Sequence, residues 1–498
     1  METLHLKEIL EAVNGTAIWL DDSTRNENEI ILKVGTNSRE TMEQGLFVPV
    51  IGERVDAHDF IKGAFESGAI ASFTSRHRSM DDVMADDSLK DYIDLKKGGV
   101  LITVEDTVMA LQKLATYYRN KFKIPVIGIS GSVGKTTTKE MISAALQTQL
   151  NVLKTFGNMN SQIGVALMMF ELDHKRDVAV IEMGISEENE MNRLCDIAKP
   201  CYAVLTNIGV SHIANLKTRE NIRKEKTKIA NAFLESSVLF VNGNDDLLQE
   251  IYLEKEKNSS MTIDLDDITK EKLMNARVLA FGTQEFCGFQ AYEIKTQNEK
   301  TTFMMRYPAG EMQVKLNVCG IHNVYNALVA MALAYEFGID LEVAKSGLEQ
   351  YEPVKMRGQI FTFHNIKVID DTYNASPDSM RSGVNVLLDL SGVNRRIAIL
   401  ADVLELGEHS RECHYGVGEY IAKTKVDVLV TIGSQAKFIA KAVNDNNITI
   451  KTYSFETNEE ANQFLTGFIQ KQDGILVKGS RGMHTEQVVE YLKELVVE

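Results

Sequence analysis

"VIGISGSVGKTTTKE" (residues 126–140) decides the fold of this chain, because it joins an apolar strand to a glycine-rich turn and a helix-forming segment. The spacing G-x-x-x-x-G-K-[ST] of common phosphate-binding loops would place a glycine at position 129, where the chain has Ile129. Its glycines fall instead at positions 128, 131 and 134. The loop therefore differs from that of ordinary kinases and GTPases.

The residues of this loop are of the types that bind nucleotide phosphates. Backbone amides of residues 131–135 can surround a phosphate at the amino end of a helix, where the helix dipole is positive. Lys135 supplies a charge for the β- and γ-phosphates, and the hydroxyl of Thr136 can bind Mg²⁺. The alternative interpretation, an ordinary glycine turn, requires G-K-T-T to follow an apolar strand by coincidence.

Two further apolar strands of this segment end in polar residues. "DVAVIEMG" ends in Glu182, and "CYAVLTNIG" ends near Asn207, just before His212. In open parallel sheets ligands gather at the carboxyl ends of the strands, so Glu182 is predicted to bind a metal ion beside the phosphate loop. A solvated strand-end glutamate and a structural histidine are the alternative interpretations for these two residues.

Composition and charge limit the class of protein. The 498 residues suggest about three domains. The formal net charge of -16 argues against a nucleic-acid partner or an anionic-membrane surface, since both require a basic patch. The five cysteines form no C-x-x-C pair and indicate reduced thiols. The amino terminus lacks a signal pattern and no apolar run reaches the ~20 residues of a membrane span, so a soluble, cytoplasmic protein without membrane insertion is expected.

The pattern of strands and helices predicts an α/β chain of three domains. Residues 1–105, with short strands between polar turns, form a small mixed α/β domain. A helix predicted over residues 107–119 opens the second domain, a central P-loop, parallel-sheet ATPase of residues 106–354. The pattern of strands restarts near Pro353, and residues 355–498 are predicted to form a Rossmann-like, doubly wound domain. Its predicted strands are "IKVIDD", "RIAILAD", "VDVLVTIG" and "GILVKGS".

Eight motifs, in this order, resemble those of the Mur ligases, the ATP-dependent amide ligases of peptidoglycan precursor synthesis. That family builds its phosphate loop as G-x-x-G-x-x-G-K-T, which accounts for the glycines at 128, 131 and 134. The resemblance covers essentially the whole chain. The motifs are "GSVGKTTTKE", "GNMNSQIG", "VIEMG", "TNIGVSHI", "GIHNVYNAL", "MRGQ", "IDDTYNASPDSM" and "LADVLELGEHS".

The resemblance implies a set of nucleotide and metal residues. Thr136 and Glu182 would bind a first Mg²⁺, and His212 a second Mg²⁺ beside Lys226, which would be carbamylated. Unmodified Lys226 on the surface is the alternative. Lys135, Glu182, His212, Lys226 and Arg357 would be catalytic. ATP would be held by Gly131, Ser132, Val133, Gly134, Lys135, Thr136, Thr137, His322, Asn323, Asn326, Arg357 (γ-phosphate) and Asp371 (ribose).

The resemblance also implies the substrates, a UDP-N-acetylmuramoyl peptide and D-alanyl-D-alanine, joined through an acyl phosphate by a protein expected to be a monomer. Asn37 stands where Asp is frequent and Ala57 where Gly is usual, so the acceptor is less firmly indicated than the chemistry. A paralogue using another carboxylate, or a non-catalytic nucleotide-binding regulator, remain as alternatives. The implied substrate-binding residues are Asn37, Ser38, Arg39, Asn158, Asn160, Tyr373, Asn374, Lys478 and Ser480.

Overall fold

The computed structural model describes residues 1–20, 27–94, 98–257 and 260–495. The chain divides into two compact units, and each contains several segments of the sequence. The first consists of Met1–Gly128, Asn151–Gly184 and Glu190–Pro200. The second consists of Ile129–Leu150, Ile185–Asn189 and Cys201–Glu498.

The strands and helices follow one another in α/β fashion along the chain. The strands are β1 (Leu4–His5), β2 (Thr16–Trp19), β3 (Ile30–Ile31), β4 (Lys33–Gly35), β5 (Gly45–Phe47), β6 (Ala69–Thr74), β7 (Val100–Thr103), β8 (Val126–Ser130), β9 (Val152–Lys154), β10 (Val178–Glu182), β11 (Tyr202–Leu205), β12 (Val238–Asn242), β13 (Arg277–Gly282), β14 (Phe289–Gln297), β15 (Lys300–Tyr307), β16 (Gly310–Leu316), β17 (Gln359–Phe363), β18 (Ile366–Asp370), β19 (Arg395–Ala401), β20 (Val428–Ile432), β21 (Lys451–Phe455) and β22 (Asp473–Lys478). The helices are α1 (Leu6–Val13), α2 (Ile61–Glu66), α3 (Met80–Ala85), α4 (Asp87–Asp94), α5 (Thr107–Arg119), α6 (Lys135–Leu146), α7 (Gln162–Met169), α8 (Glu190–Ala198), α9 (Ile213–Leu216), α10 (Arg219–Thr227), α11 (Asp246–Glu256), α12 (Asp267–Asn275), α13 (Ile321–Glu336), α14 (Leu341–Glu349), α15 (Pro377–Asp389), α16 (Ser410–Ala422), α17 (Lys437–Asn446), α18 (Asn458–Leu465) and α19 (Glu486–Glu494).

The first unit contains a five-stranded sheet in the order β2-β7-β6-β5-β4. Strands β4 to β7 are parallel, and β2 pairs antiparallel with β7 at one edge. The segment contains both helices and strands, as the sequence predicts, whereas the directions of its strands were not predicted. Helix α5 has the predicted bounds. It begins after Asp106, whose carboxylate accepts a hydrogen bond from the amide of Met109, and it buries Leu111 and Leu114.

In the second unit, strands β11 to β14 are parallel neighbours. A parallel sheet was predicted for the central segment, but of these four strands only β11 was identified from the sequence. Strands β14, β15 and β16 then form an antiparallel ribbon that the sequence analysis did not predict. Alternate side chains are buried along β15 and β16, so one face of the ribbon packs on the protein and the other meets solvent. The central segment is thus a parallel sheet extended by an antiparallel edge.

The carboxyl-terminal segment forms a six-stranded sheet in the order β17-β18-β22-β19-β20-β21. All neighbours are parallel except β17 and β18. The four predicted strands form its centre, where Ile399, Val430 and Val477 are fully buried. Within the described ranges, no helix of the chain combines the length and the apolarity that crossing a bilayer would need.

Candidate active site

Packing explains the unusual glycine spacing of the phosphate loop. Ile129 is fully buried within β8, so the strand core occupies the position where a more common loop has glycine. Gly131 has φ +151°, and a Cβ atom there would lie 1.9 Å from Oγ1 of Thr206. Gly134 has φ +87° and immediately precedes helix α6. Glycine is therefore required at positions 131 and 134 for different reasons, one of contact and one of backbone conformation.

Gly131→Ala tests this contact. The added methyl must displace Thr206 from a closely packed loop, and we expect the free energy of unfolding to fall by about 2–3 kcal/mol. We also expect ATP-dependent turnover to fall about tenfold, because the loop changes shape. Urea titration and steady-state kinetics measure the two effects. Gly157→Ala, at a glycine with nothing within 4 Å of the added Cβ, is the matched control, although its own φ of +52° carries some strain.

Asn207 fixes the first half of the phosphate loop. The amide of Ser132 donates to the carbonyl of Asn207 at 3.0 Å, and the amide of Val133 donates to its Oδ1 at 2.8 Å. The hydroxyl of Thr206 donates to the carbonyl of Val133 at 2.6 Å. The amides of Ser132 and Val133, which were predicted to surround a phosphate, therefore bond to Asn207 after strand β11 in this structure. The first turn of α6, which begins at Lys135, presents amides that have no acceptor within the helix itself.

Two lysine amines converge on one carbonyl oxygen of the loop. Nζ of Lys135 donates to the carbonyl of Gly131 at 2.7 Å, and Nζ of Lys226, from α10, lies 3.3 Å from the same oxygen. Lys226 is only 1% exposed. The amine of Lys135 places a positive charge at the loop, which suits a site for a polyanion in a protein of net charge -16.

The structure also distinguishes Lys226 from its neighbours on α10. Lys224 lies on the protein surface with its amine 3.2 Å from a carboxylate oxygen of Asp264. The amine of Lys228 donates to Glu225 at 2.6 Å. The amine of Lys226, in contrast, donates to the carbonyl of Gly131 in the phosphate loop.

Glu182 ends strand β10 with its side chain buried. Its carboxylate accepts a hydrogen bond from Nδ2 of Asn160 at 2.8 Å, and its amide donates to Oγ1 of Thr155. Asn160 in turn bonds through its amide to the carbonyl of Asn158 at 2.8 Å. Asn158 and Asn160, predicted to bind substrate, therefore belong to a loop that orients Glu182.

His212 adopts a left-handed backbone conformation, with φ +62°, immediately before helix α9. Its Nδ1 lies 3.3 Å from Oε2 of Glu405, which follows β19 in the carboxyl-terminal sheet. Another carboxylate of that segment, Asp378, approaches Gly209 so closely that a Cβ there would lie 2.2 Å from it. The sequence analysis missed Glu405 and Asp378, because their proximity to the loop depends on tertiary structure.

The amino end of helix α13 carries the residues predicted to lie near adenine. Oδ1 of Asn326 accepts a hydrogen bond from Thr138 of α6 at 2.8 Å, and the side chain of Asn323 donates to the carbonyl of Cys319. Burial lowers the pKa of His322 below its usual value, although the nearby Asp371 opposes this effect. A neutral imidazole at this position can exchange hydrogen bonds with a base without adding charge.

Arg357 and Asp371 lie on loops that connect to the carboxyl-terminal sheet. The guanidinium of Arg357 stacks on the ring of Tyr373 at 3.9 Å. The amine of Lys478, at the end of β22, lies 2.6 Å from Oδ2 of Asp371 and donates to the carbonyl of Asn374 at 2.9 Å. Lys478 is 2% exposed, so it is placed to hold these loops.

Ser480 is also buried in the structure. Its hydroxyl accepts a hydrogen bond from the amide of Leu404 at 2.9 Å, and its amide donates to the carbonyl of Asp402. It therefore joins the ends of β19 and β22. For Ser480, as for Lys478, the structure shows a bond between loops of the chain itself.

In the first unit, the predicted nucleotide-sugar residues form a polar turn after β4. Oδ1 of Asn37 accepts from the amide of Arg39 at 3.1 Å, and Nδ2 of Asn37 donates to Glu40 at 3.2 Å. The carbonyl of Ser38 accepts from the hydroxyl of Ser67. The pKa of Glu40 is lowered by its hydrogen bonds to Lys33 and Asn37.

The available donors suit magnesium. Glu182 in the first unit and Thr136 in the second are each buried, and each offers an oxygen atom of the hard type that Mg²⁺ prefers. Within the described ranges, no group of three or more His, Cys, Asp or Glu side chains is assembled as in a metal centre made by protein alone.

Comparison with known proteins gives consistent matches. Residues 129–334 match the Mur ligase middle domain, and residues 356–481 match the Mur ligase, glutamate ligase domain. The UDP-N-acetylmuramoyl-tripeptide–D-alanyl-D-alanine ligase of Bacillus subtilis (strain 168) is 33% identical, and the alignment covers 98% of each chain. The crystal structure of MurF from Acinetobacter baumannii has a TM-score of 0.85 at 30% identity, covering 99% of each chain. MurF of Thermotoga maritima, solved with ADP, has a TM-score of 0.76 at 26% identity, covering 93% of this chain and 97% of that one.

Proposed function

The chain belongs to the Mur ligase family, and from that premise we propose which of its residues carry out the ligation. It is an ATP-dependent, ADP-forming ligase that adds D-alanyl-D-alanine to UDP-N-acetylmuramoyl-tripeptide in peptidoglycan precursor synthesis. The single structural observation that carries our assignment of residues is the convergence of Lys135 and Lys226 on the carbonyl of Gly131.

The chemistry requires a site that stabilises negative charge. The peptide carboxylate is a poor electrophile, so transfer of the γ-phosphoryl group of ATP to it, with release of ADP, makes an acyl phosphate. The amine of D-alanyl-D-alanine attacks this carbonyl, and the tetrahedral intermediate expels phosphate to leave the amide. Both steps build negative charge, and fixed cations directed at that charge lower the barrier. Lys135 and Arg357 are the side chains assigned to this role.

Magnesium would be held by Thr136 and Glu182, with a second ion at His212 and Lys226, and it would neutralise charge on the phosphates. Asn160 supports this role, because its hydrogen bond fixes the orientation of the Glu182 carboxylate. Asn207 supports the site differently, because it fixes the shape of the phosphate loop. His322, Asn323 and Asn326 would bind the adenosine part of ATP and Asp371 its ribose.

Lys226 is assigned as a carbamylated lysine. Its neutral Nζ would attack CO₂ and release one proton, giving a carbamate whose oxygens suit Mg²⁺. The amine lies 3.3 Å from the carbonyl of Gly131, and the side chain is almost completely buried, so a carbamate there would be enclosed by the protein. A ¹³C carbamate resonance in protein prepared with labelled bicarbonate, absent from Lys226→Ala, is the direct test.

The segments predicted from the sequence would divide the substrates among them. Residues 1–105 would bind the UDP-sugar peptide through Asn37, Ser38 and Arg39, residues 106–354 would bind ATP, and residues 355–498 would bind the dipeptide near Tyr373 and Asn374. The two Mur ligase matches fall within the second and third of these segments. We further propose that the enzyme acts as a monomer in the cytoplasm, where ATP is supplied.

An ADP-release assay over a panel of acceptors tests the function. We expect release to require UDP-N-acetylmuramoyl-tripeptide and D-alanyl-D-alanine together, with less than a tenth of that rate when either is omitted. A folate with glutamate is the control for a paralogue acting on another carboxylate. ADP release with that pair, or release that is independent of any acceptor, would contradict the assignment.

Lys478→Met tests the support of the ribose site. The substitution leaves the Asp371 carboxylate without its cation, and breaking a buried ion pair typically costs about 3 kcal/mol of unfolding free energy. We expect a lower Tm and a KM for ATP raised about tenfold, because the loop of Asp371 loses its anchor. Lys471→Met, at an exposed lysine of the same domain, should change neither quantity. Wild-type KM for ATP in Lys478→Met would exclude this positioning role.

A further inference from the structure

A pocket of about 650 Å³ lies in the carboxyl-terminal segment, outside the active site. It is lined by the last turns of α15 and α16 and by the start of β19, through Asn385, Leu388, Arg396, Tyr420, Lys423 and Lys425. The active-site loops follow the carboxyl ends of β18, β19 and β22. Arg396 is the second residue of β19, so five residues, about 17 Å of strand, separate it from that edge. The pocket is therefore on the opposite edge of the sheet.

Three cations line this pocket in an otherwise acidic protein. Arg396, Lys423 and Lys425 all line it. In the described part of the chain no ion pair within 4.0 Å joins any of them to a carboxylate, whereas the adjacent Arg395 pairs with Asp473 at 2.6 Å. The neighbouring carboxylate of Asp427 accepts the backbone amide of Arg396 at 2.7 Å instead. A cleft lined by charges of one sign raises the local concentration of counter-ions, so this pocket attracts anions.

The guanidinium of Arg396 is incompletely bonded within the described protein. Its Nη2 donates to the carbonyl of Leu390 at 3.3 Å, and its buried Nε has no acceptor. A buried donor without a partner costs free energy, and a bound ion or water nearby is one way in which that cost is reduced. Lys423 alone has another explanation, because it caps α16 and a cation there complements the helix dipole. That explanation does not extend to Arg396.

The rest of the pocket suits an organic group. The hydroxyl of Tyr420 donates to Oδ1 of Asn385, which fixes both side chains beside Leu388. The volume falls in the range of small-molecule sites, about 300–1,000 Å³. We propose that this pocket binds a phosphorylated small molecule, with the phosphate on Arg396, Lys423 and Lys425 and the organic part against Leu388 and Tyr420. The proposal is independent of the ligase reaction.

Hydrogen–deuterium exchange of the full-length chain tests the proposal, because it locates binding along the sequence and separates this pocket from the phosphate loop. Inorganic pyrophosphate and UMP are titrated separately, and protection is followed in residues 388–396 and 420–426. We expect both probes to protect these residues. Tyr420→Ala should weaken UMP at least fivefold and leave pyrophosphate within twofold. Equal loss of both would overturn the placement of the organic part.

A double variant that removes both pocket lysines, K423Q/K425Q, is compared with a control double variant, K451Q/K471Q. The control removes two exposed lysines of the same domain that lie outside the pocket. We expect the half-protection concentration of pyrophosphate to rise at least tenfold in the first variant and less than twofold in the second. Arg396→Gln should act like the first variant and Arg396→Lys should restore part of the binding. No protection of these residues in wild type, or equal effects of the two double variants, would overturn the proposal. The lysine pairs are exposed, so unchanged Tm checks that both variants fold.

Discussion

Lys135→Ala is expected to lower kcat for ligation by about 10²–10³-fold, the usual effect of losing one group that stabilises developing charge. The structure gives the reason in detail. The amine of Lys135 projects from the first turn of α6 and reaches the carbonyl of Gly131, so it lies across the mouth of the phosphate loop. Removing it takes away one of the two cations that we assign to the γ-phosphoryl group, the other being Arg357. The measurement is ADP release at saturating substrates.

The fold should survive this change, since Lys135 is a partly exposed helix residue and alanine favours helices. Lys113→Ala removes the same charge from an exposed position on α5 and should leave kcat within twofold. Circular dichroism and Tm compare the variants. If Lys135→Ala keeps both the wild-type fold and an unchanged kcat, the phosphate loop does not take part in the reaction. ATP would then have to bind elsewhere.

The phosphate loop was predictable because its signal is local. Strand, glycines, lysine and helix follow one another within fifteen residues, and the structure has them as β8 and α6. The bounds of α5 were predictable for the same reason, since Asp106 caps a regular apolar stripe. What the spacing could not reveal is that Asn207, more than seventy residues later in the chain, holds the amides of Ser132 and Val133.

The edges of the sheets were the least predictable part of the fold. Strands β17 and β21 were missed, and both are edge strands whose residues are mostly half-buried, so their pattern is less apolar than that of β19 or β22. The antiparallel ribbon β14–β16 was missed because its alternating pattern has one solvent face. Central strands buried on both faces read as continuous apolar runs, which is why all four in the carboxyl-terminal sheet were found.

Lys478 and Ser480 show that the contacts of a site residue are harder to predict from the sequence than its position. The family resemblance implies that both contact the substrate, and that stays a prediction. The structure adds that their polar atoms bond to Asp371, Asn374 and Leu404. Sequence reveals that a polar residue stands at the correct edge, but whether it faces the ligand or a neighbouring loop depends on which loops surround it.

Lys226→Ala is expected to lower kcat by about 10²-fold and to be partly rescued by formate or acetate. If Lys226 acts as a carbamate, alanine removes a buried anionic ligand and leaves space for a small carboxylate near the same point. The rescued rate should rise with carboxylate concentration and saturate. If Lys226 acts only as an amine that donates to the Gly131 carbonyl, carboxylates should have no effect. Lys226→Ala thus separates two roles that share one position.

The neighbouring lysines of α10 provide matched controls for that experiment. Lys224→Ala loses an exposed ion pair with Asp264, which is worth at most about 1 kcal/mol and lies away from the loop, so kcat should be unchanged and unaffected by formate. Lys228→Ala removes the partner of the buried Glu225 and should lower Tm without creating a carboxylate requirement. Rescue in either control, or normal activity in Lys226→Ala, would show that another lysine has the assigned role. If added carboxylates restore activity to Lys226→Ala alone, the requirement for a carboxylate lies at Lys226, whose amine donates to the carbonyl of Gly131.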